Sequence, residues 1–255
     1  MQHTQVTAPA YSTYSSAIAR IPDTFGTIGH QIYSGRNTLQ AISAPEGSEM
    51  WVAKRYKRPN IFQRIAYRAT RRSKARKAYE CGIRIEELGF RTPRPIAMID
   101  ITSGNTLEQC YFVSEMSECR SLMGLFADNP NPPADIAEEL ARFIATLHAK
   151  GILHGDLNLS NILYDDTASG NDRFILIDTN RTKFKDHLPS RRRCITNLVR
   201  LTHWRPSLKM IVEAYARQRG WDENTIYSAV ESKLKRFELS RRVRHTLKRL
   251  LPSRK

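Results

Sequence analysis

His154-Gly155-Asp156-Leu157-Asn158-Leu159-Ser160-Asn161-Ile162-Leu163 sets an aspartate and an asparagine five residues apart in a loop-like segment. Phe174-Ile175-Leu176-Ile177-Asp178 then adds a second aspartate at the end of an apolar run of strand type. Phosphoryl transfer needs such a set: one carboxylate to accept the proton of an attacking hydroxyl, and an amide oxygen with a second carboxylate to hold the Mg2+ that bridges nucleotide phosphates. On this pattern Asp156 is the candidate catalytic base, and Asn161 and Asp178 are the candidate metal ligands. His154 reads as a loop histidine bonding backbone carbonyls, since this chemistry gives the proton to the aspartate.

Other elements must position these groups. Ile136, Leu140, Phe143, Ile144 and Leu147 recur at helical spacing through residues 134–150, and Gly151 ends that helix just before the loop. Met50-Trp51-Val52-Ala53-Lys54 is a strand-like run ending in a lysine, a point charge suited to the α- and β-phosphates of ATP. That lysine needs a carboxylate to hold it. In the helix predicted over 73–88, Glu80 is the best-placed candidate, with Glu86 and Glu87 behind it. Tyr111 to Met116 reads as a strand running into a linker, where the backbone of Glu115 and Met116 could meet the adenine edge. Gly35, the one glycine between Ile32 and Thr38, is the candidate turn over the phosphates, with Arg36 and Asn37 beside it.

Val52-Ala53-Lys54, the helix with Glu80, Gly89 to Pro95, His154 to Leu163 and Ile177-Asp178 together resemble the lipopolysaccharide kinase family, over roughly 29–204. That family phosphorylates Kdo or heptose sugars of the lipopolysaccharide inner core. The resemblance implies an α+β, two-lobed protein-kinase-like fold, with a small N-terminal β-sheet lobe carrying one helix and a larger, mainly helical C-terminal lobe. It also implies ATP and Mg2+ as cofactors and an anionic glycolipid of the lipid A-core type as substrate. The expected division is a flexible extension over 1–22, an N-terminal lobe over 23–116 and a C-terminal lobe over 117–255 with a basic helical tail. Asp178-Thr179-Asn180 stands where protein kinases have Asp-Phe-Gly, and no Ala-Pro-Glu follows. The metal ligand is kept while the peptide platform is missing, which argues against a protein substrate.

The chain of 255 residues, 40% hydrophobic, suits one two-lobed domain. Cys81, Cys110, Cys119 and Cys194 lack paired metal spacing and read as reduced thiols. Residues 1–22 have neither a basic start nor an apolar core, so they do not resemble a signal peptide, and the expected location is cytoplasmic. The net charge of +16 is segregated: residues 50–79 hold eleven Lys and Arg and no acidic residue, and residues 181–255 hold twenty-one against six. Such a split points to an anionic partner, here the inner-membrane surface and a phosphorylated glycolipid. With no zinc-finger or RNA-recognition pattern beside the charge, nucleic acid is not expected. The tail from Leu239 to Lys255 places Leu239, Val243, Leu247, Leu250 and Leu251 on one side, either for a membrane interface or for packing on the C-terminal lobe.

Two other classes fit the residues. An inactive kinase-like scaffold would bind no Mg-ATP, and a kinase of another small molecule would be indifferent to anionic lipid.

Overall fold

Six extended segments rich in β-branched and aromatic residues pair into one antiparallel sheet. They are β1 (Gln2–Thr7), β2 (His30–Ser34), β3 (Thr38–Ser43), β4 (Met50–Arg55), β5 (Pro95–Ser103) and β6 (Thr106–Glu115), in the spatial order β1-β5-β6-β4-β3-β2. The computed structural model describes residues 1–47, 49–70 and 72–250. Within it the sheet belongs to a unit formed by Met1–Cys119 together with Ile175–Arg181, and the remaining described residues form a second unit. The first break thus falls three residues beyond the expected one at 116. In addition, the strand-end segment bearing Asp178 returns to the sheet unit.

Alternation in β4 decides where its lysine points. Trp51 and Ala53 are buried in a cluster with Tyr11, Ile18, Ile21, Ile42, Ile96 and Val113. Lys54, of opposite parity, lies on the other face with Tyr56. There the helices α3 (Ile61–Thr70) and α4 (Lys74–Glu87) bring Tyr67, Ala75, Ala78 and Tyr79 against Tyr56, Met98 and Cys110. Ser73 caps α4 by accepting a hydrogen bond from the Arg76 N–H at 2.9 Å. The helix expected over 73–88 is therefore α4, and α3 is an addition to the single helix anticipated.

Residues 1–22 differ from the flexible extension read from their composition. β1 adds an edge strand in register from Gln2 opposite Thr102 to Thr7 opposite Ala97. The short helices α1 (Ser15–Ala19) and α2 (Ile21–Thr24) bury Ile18 and Ile21. The reason is tertiary: β5 offers an open edge and Trp51 an uncovered apolar face, and the few apolar residues that satisfy them are too irregularly spaced to show a period.

The second unit is organised around its helices. After β7 (Arg120–Ser121) and α5 (Met123–Phe126) comes α6 (Ala134–Ala149), which buries Leu140, Phe143, Ile144 and Leu147 as its spacing predicts. The strands β8 (Ile152–Leu153), β9 (Ile162–Tyr164) and β10 (Phe174–Leu176) follow; β10 is where the chain passes back to the first unit. β11 (Lys183–Phe184) pairs antiparallel with β8, and β7 with β9, so both ends of the intervening loop are tied down. The helices α7 (Arg191–Leu198), α8 (Arg205–Gln218) and α9 (Glu223–Leu250) complete the unit, with α8 packed between α6 and α9. Ile226, Val230 and Leu234 are fully buried on α9, while Leu239 and Val243 of the expected tail stripe are exposed. The side chains of Leu247 and Leu250, and the whole of Leu251, fall outside the described residues. The four cysteines are free thiols, and no described helix is long and apolar enough to cross a membrane.

Gly151 delivers α6 into β8 at φ +76°, and a Cβ there would lie 2.0 Å from the Lys185 carbonyl oxygen. The same turn is closed by the Lys185 N–H donating to the Gly151 carbonyl at 3.0 Å. Left-handed backbone costs a non-glycine residue roughly 1–2 kcal/mol, and the clash adds to it. Gly151→Ala is therefore expected to destabilise the protein by at least about 2 kcal/mol, read as a lowered denaturation midpoint, whereas Gly104→Ala, whose added Cβ meets nothing within 4 Å, should cost less.

Candidate functional site

The first unit unites two of the candidate groups. The Lys54 ammonium donates to Asp178 Oδ1 at 2.8 Å, with the two side chains 13% and 33% exposed. Lys54 also lies 5.3 Å from the centroid of the buried Tyr56 ring, whose hydroxyl accepts a hydrogen bond from the Asn180 side chain at 3.4 Å. Burial pushes the Tyr56 phenol far above its ordinary range, so it stays a neutral hydroxyl. Asp178 is brought here by β10: the Leu176 N–H donates to the Arg91 carbonyl at 2.9 Å, and the Thr92 hydroxyl donates to the Leu176 carbonyl at 2.7 Å. Asp178 itself sits at φ +54°, a left-handed conformation uncommon outside glycine.

Glu80 is placed differently from its expected position beside Lys54. Its carboxylate accepts from the Arg72 guanidinium and lies 3.9 Å from that of Arg76. The cause is helix geometry: Ala75, Ala78, Tyr79, Gly82 and Ile85 form the buried stripe of α4, and Glu80 falls about 100° round from Tyr79. Glu86 and Glu87 pair with Arg94 at 4.0 Å and Arg84 at 2.8 Å. Among the described residues, Asp178 is the carboxylate in ion-pair contact with Lys54.

Gly35 stands at the β2–β3 turn, its N–H donating to the Asn37 carbonyl at 3.1 Å. The Asn37 side chain in turn accepts from the Lys57 N–H at 3.1 Å, which ties the turn to the end of β4. At the other candidate nucleotide position, both backbone donors are already engaged: Glu115 N–H with the Arg94 carbonyl at 3.0 Å and Met116 N–H with the Met50 carbonyl at 2.8 Å. The Glu115 carboxylate accepts from the Tyr11 hydroxyl. An adenine edge at this strand end would therefore have to meet carbonyl oxygens or the backbone beyond Met116.

In the second unit the loop from His154 to Asn161 is held by its own side chains. Asn158 Oδ1 accepts from the N–H groups of Ser160 and Asn161 at 3.0 and 3.1 Å. Asn158 Nδ2 and Asn161 Nδ2 both donate to the Asp156 carbonyl, at 3.2 and 2.9 Å. This orients Asn161 by its amide nitrogen and leaves its oxygen as the group able to face a cation. The Asp156 carboxylate pairs with Arg200 at 2.8 Å, and the Arg200 guanidinium lies 5.3 Å from the centroid of the Phe237 ring.

A buried relay holds the loop from behind. The His154 carbonyl accepts from Asn197 Nδ2 at 2.6 Å; Asn197 Oδ1 meets His148 Nε2 at 3.0 Å, and His148 Nδ1 meets the Tyr215 hydroxyl at 2.7 Å. This order is satisfied by a neutral His148 that donates through Nε2 and accepts through Nδ1. Burial pushes that imidazole down to about 4, despite the opposing Asn197 hydrogen bond. His154, 1% exposed, accepts through Nδ1 from the Asp156 N–H at 3.3 Å, a contact with the backbone made through an N–H group where a carbonyl was the expected partner.

Asn161, in the second unit, and Asp178, in the first, each carry an oxygen of the hard kind that Mg2+ takes, one an amide and one a carboxylate. Among the described residues no group of three or more His, Cys, Asp or Glu is placed to hold a metal ion.

Arg200, Asn197, His148 and Asn158 escaped the sequence reading. Asn158 sits inside the motif, and its cap-like spacing to Asn161 was a usable signal. The other three lie on distant helices or turns whose approach only the fold reveals.

The profile of the "Lipopolysaccharide kinase (Kdo/WaaP) family" matches residues 35–214. A 3-deoxy-D-manno-octulosonic acid kinase of Stenotrophomonas maltophilia (strain K279a) is 28% identical over 210 residues, covering 75% of this chain and 79% of the relative. One of the same description from Vibrio parahaemolyticus serotype O3:K6 (strain RIMD 2210633) is 29% identical over 112 residues; that match covers 44% of this chain and less than half of the relative's length, 45%. Among solved structures, "WaaP in complex with acyl carrier protein" superposes with a TM-score of 0.60 at 18% identity, covering 92% of this chain and 99% of that one. The fold is protein-kinase-like, α+β, as the motif order predicts.

The relay makes a pH prediction. The folded state keeps His148 neutral down to about pH 4, while in the unfolded chain it takes up a proton near 6.5. The stability it contributes is complete above 6.5 and is lost as pH falls from there toward 4, at up to about 1.4 kcal/mol per unit. Denaturant titrations at pH 7, 6 and 5 should show the wild type losing stability more steeply than His148→Gln.

Proposed function

The chain belongs to the lipopolysaccharide kinase (Kdo/WaaP) family, and from that membership and the geometry above we propose that it transfers the γ-phosphoryl group of ATP to a hydroxyl of an inner-core sugar. The observation that carries this reading is the Lys54–Asp178 pair, which joins a phosphate-binding cation to a metal-binding carboxylate across 124 positions of the chain. Lys54 grips the α- and β-phosphates, and Asp178 is the carboxylate it releases when nucleotide arrives. Asp156 orients the acceptor hydroxyl and takes its proton; Asn161, fixed through Nδ2, presents its amide oxygen. Mg2+ held by Asn161 and Asp178 would neutralise charge on the phosphate oxygens. Gly35 and its turn cover the phosphates, and the strand end at Glu115 and Met116 receives the adenine through carbonyl groups. Glu80 is left to brace Arg72 and Arg76.

Between the two sugars, Kdo is favoured. It is an acid and heptose is neutral, and Arg200 places a guanidinium 2.8 Å from the Asp156 carboxylate, where an acceptor carrying its own carboxylate would find a partner. The Stenotrophomonas and Vibrio relatives carry the Kdo kinase name. The substrate is a glycolipid of the lipid A-core type, so the enzyme works at the cytoplasmic face of the inner membrane, drawn there by its segregated positive charge.

Incubation with Mg-ATP and lipid A precursors bearing either Kdo or heptose, followed by mass spectrometry, should show phosphate added to Kdo; absence of transfer to either would end the kinase reading. Asp156→Ala and Asp178→Ala should each lower turnover at least ~100-fold in protein that remains folded, as its circular dichroism shows. Arg200→Gln should raise KM for the Kdo acceptor about tenfold or more and change kcat less, as loss of a binding charge does.

A further inference from the structure

Helix α3 is amphipathic the wrong way round for a helix packed on a sheet. Its polar side faces the protein: Arg64 pairs with Glu108 at 2.7 Å, the Arg68 guanidinium donates to the Thr106 hydroxyl at 2.8 Å, and the buried Tyr67 directs its hydroxyl at Asp100 at 3.5 Å. Its apolar side faces solvent, with Ile61 68%, Phe62 77% and Ile65 58% exposed. At 100° per residue these three fall within about a quarter of the helix circumference, and Ala69 continues the stripe.

Along the chain, cations flank the stripe: Lys57 and Arg58 precede α3, and Arg72 and Lys77 follow it, within a segment holding no acidic residue between 50 and 79. Glu108 and Glu80, which reach this surface, are already paired with Arg64 and Arg72. Beneath α3 opens a cavity of about 190 Å³ with Lys57, Arg72, Lys74 and Lys77 in its wall and Ala66 and Leu107 among its apolar lining. Burial, with Arg36 and Arg181 adding to it, pushes the Lys74 ammonium below its ordinary value.

We propose that α3 docks this enzyme on an anionic bilayer, inserting Ile61, Phe62 and Ile65 among the acyl chains while Lys57 and Lys77 collect lipid phosphates. The inference rests on the reading of a membrane-borne substrate and names the element that reaches it. A bilayer fits better than a protein partner because the stripe is convex and only about two turns long. Such a ridge sinks into a fluid interface, whereas a protein would need a matching groove. Apolar insertion flanked by basic side chains is the arrangement that gives interfacial helices both depth and preference for negative lipid.

The test is sedimentation of the full-length protein with vesicles of phosphatidylcholine alone or with about 30 mol% phosphatidylglycerol, scored beside phosphorylation of a water-soluble Kdo glycoside. Wild type should partition to the anionic vesicles in a salt-sensitive way. Ile61→Ser/Phe62→Ser/Ile65→Ser should lower that partition at least about tenfold while leaving the unfolding midpoint and soluble-substrate turnover unchanged. Phe62→Trp should give a blue-shifted emission component on adding anionic vesicles. Partition of the triple variant equal to wild type, or no wild-type partition, overturns the proposal. So does capture of purified acyl carrier protein through α3 without vesicle binding, which would make the stripe a protein-docking face. Vesicle binding needs no turnover, so a wild type that phosphorylates the soluble glycoside but never partitions sinks the docking role alone, and a wild type that partitions but never phosphorylates sinks the kinase reading alone.

Discussion

The contact between Lys54 and Asp178 constrains the sheet-bearing unit more than any other. Three local conditions must hold at once: β4 must present Lys54 on the face opposite Trp51, the backbone at Arg91 and Thr92 must capture β10, and the chain must enter a left-handed turn at Asp178. None of these is strong alone. Together they bring an ammonium and a carboxylate to 2.8 Å in a largely shielded setting, where a charge pair is stronger than at an open surface and an unpaired charge more costly.

The second unit solves a different problem. The loop carrying Asp156 is held without regular structure, and side-chain amides take the place of backbone ladders. Asn158 caps the turn and Asn161 fastens to the Asp156 carbonyl. Behind them a neutral histidine relay joins α6, α7 and α8 to the His154 carbonyl. Every member has a partner, which is what makes a buried polar network stabilising and geometrically specific. The same neutrality sets its acid limit.

Charge acts on a longer scale. The basic segments bind little of their own positive charge, because the acidic residues near them are few and already paired with individual arginines. Cations left in excess around an exposed apolar ridge on α3 are poorly explained by solubility alone and well explained by a negatively charged interface.

Spacing alone determined much of this protein. The order Lys54, Asp156, Asn161, Asp178 and the element types around them were readable because such chemistry demands short-range patterns: period two in β4, period 3.6 in α6 and an Asp-to-Asn loop. The α+β kinase-like class followed from that order. Tertiary structure decided the rest. Glu80 belongs by sequence position to Lys54, yet the rotation of α4 hands it to Arg72 and Arg76 and leaves Asp178 as the lysine's partner. Residues 1–22 show no periodicity and still form an edge strand and a cover for Trp51, since only the assembled sheet creates the edge and the face they fill. Arg200 and Asn197 reach the loop through chain approach that no local pattern encodes. Local propensity records what a segment can do within a few residues, and partners dozens of positions away are chosen by packing.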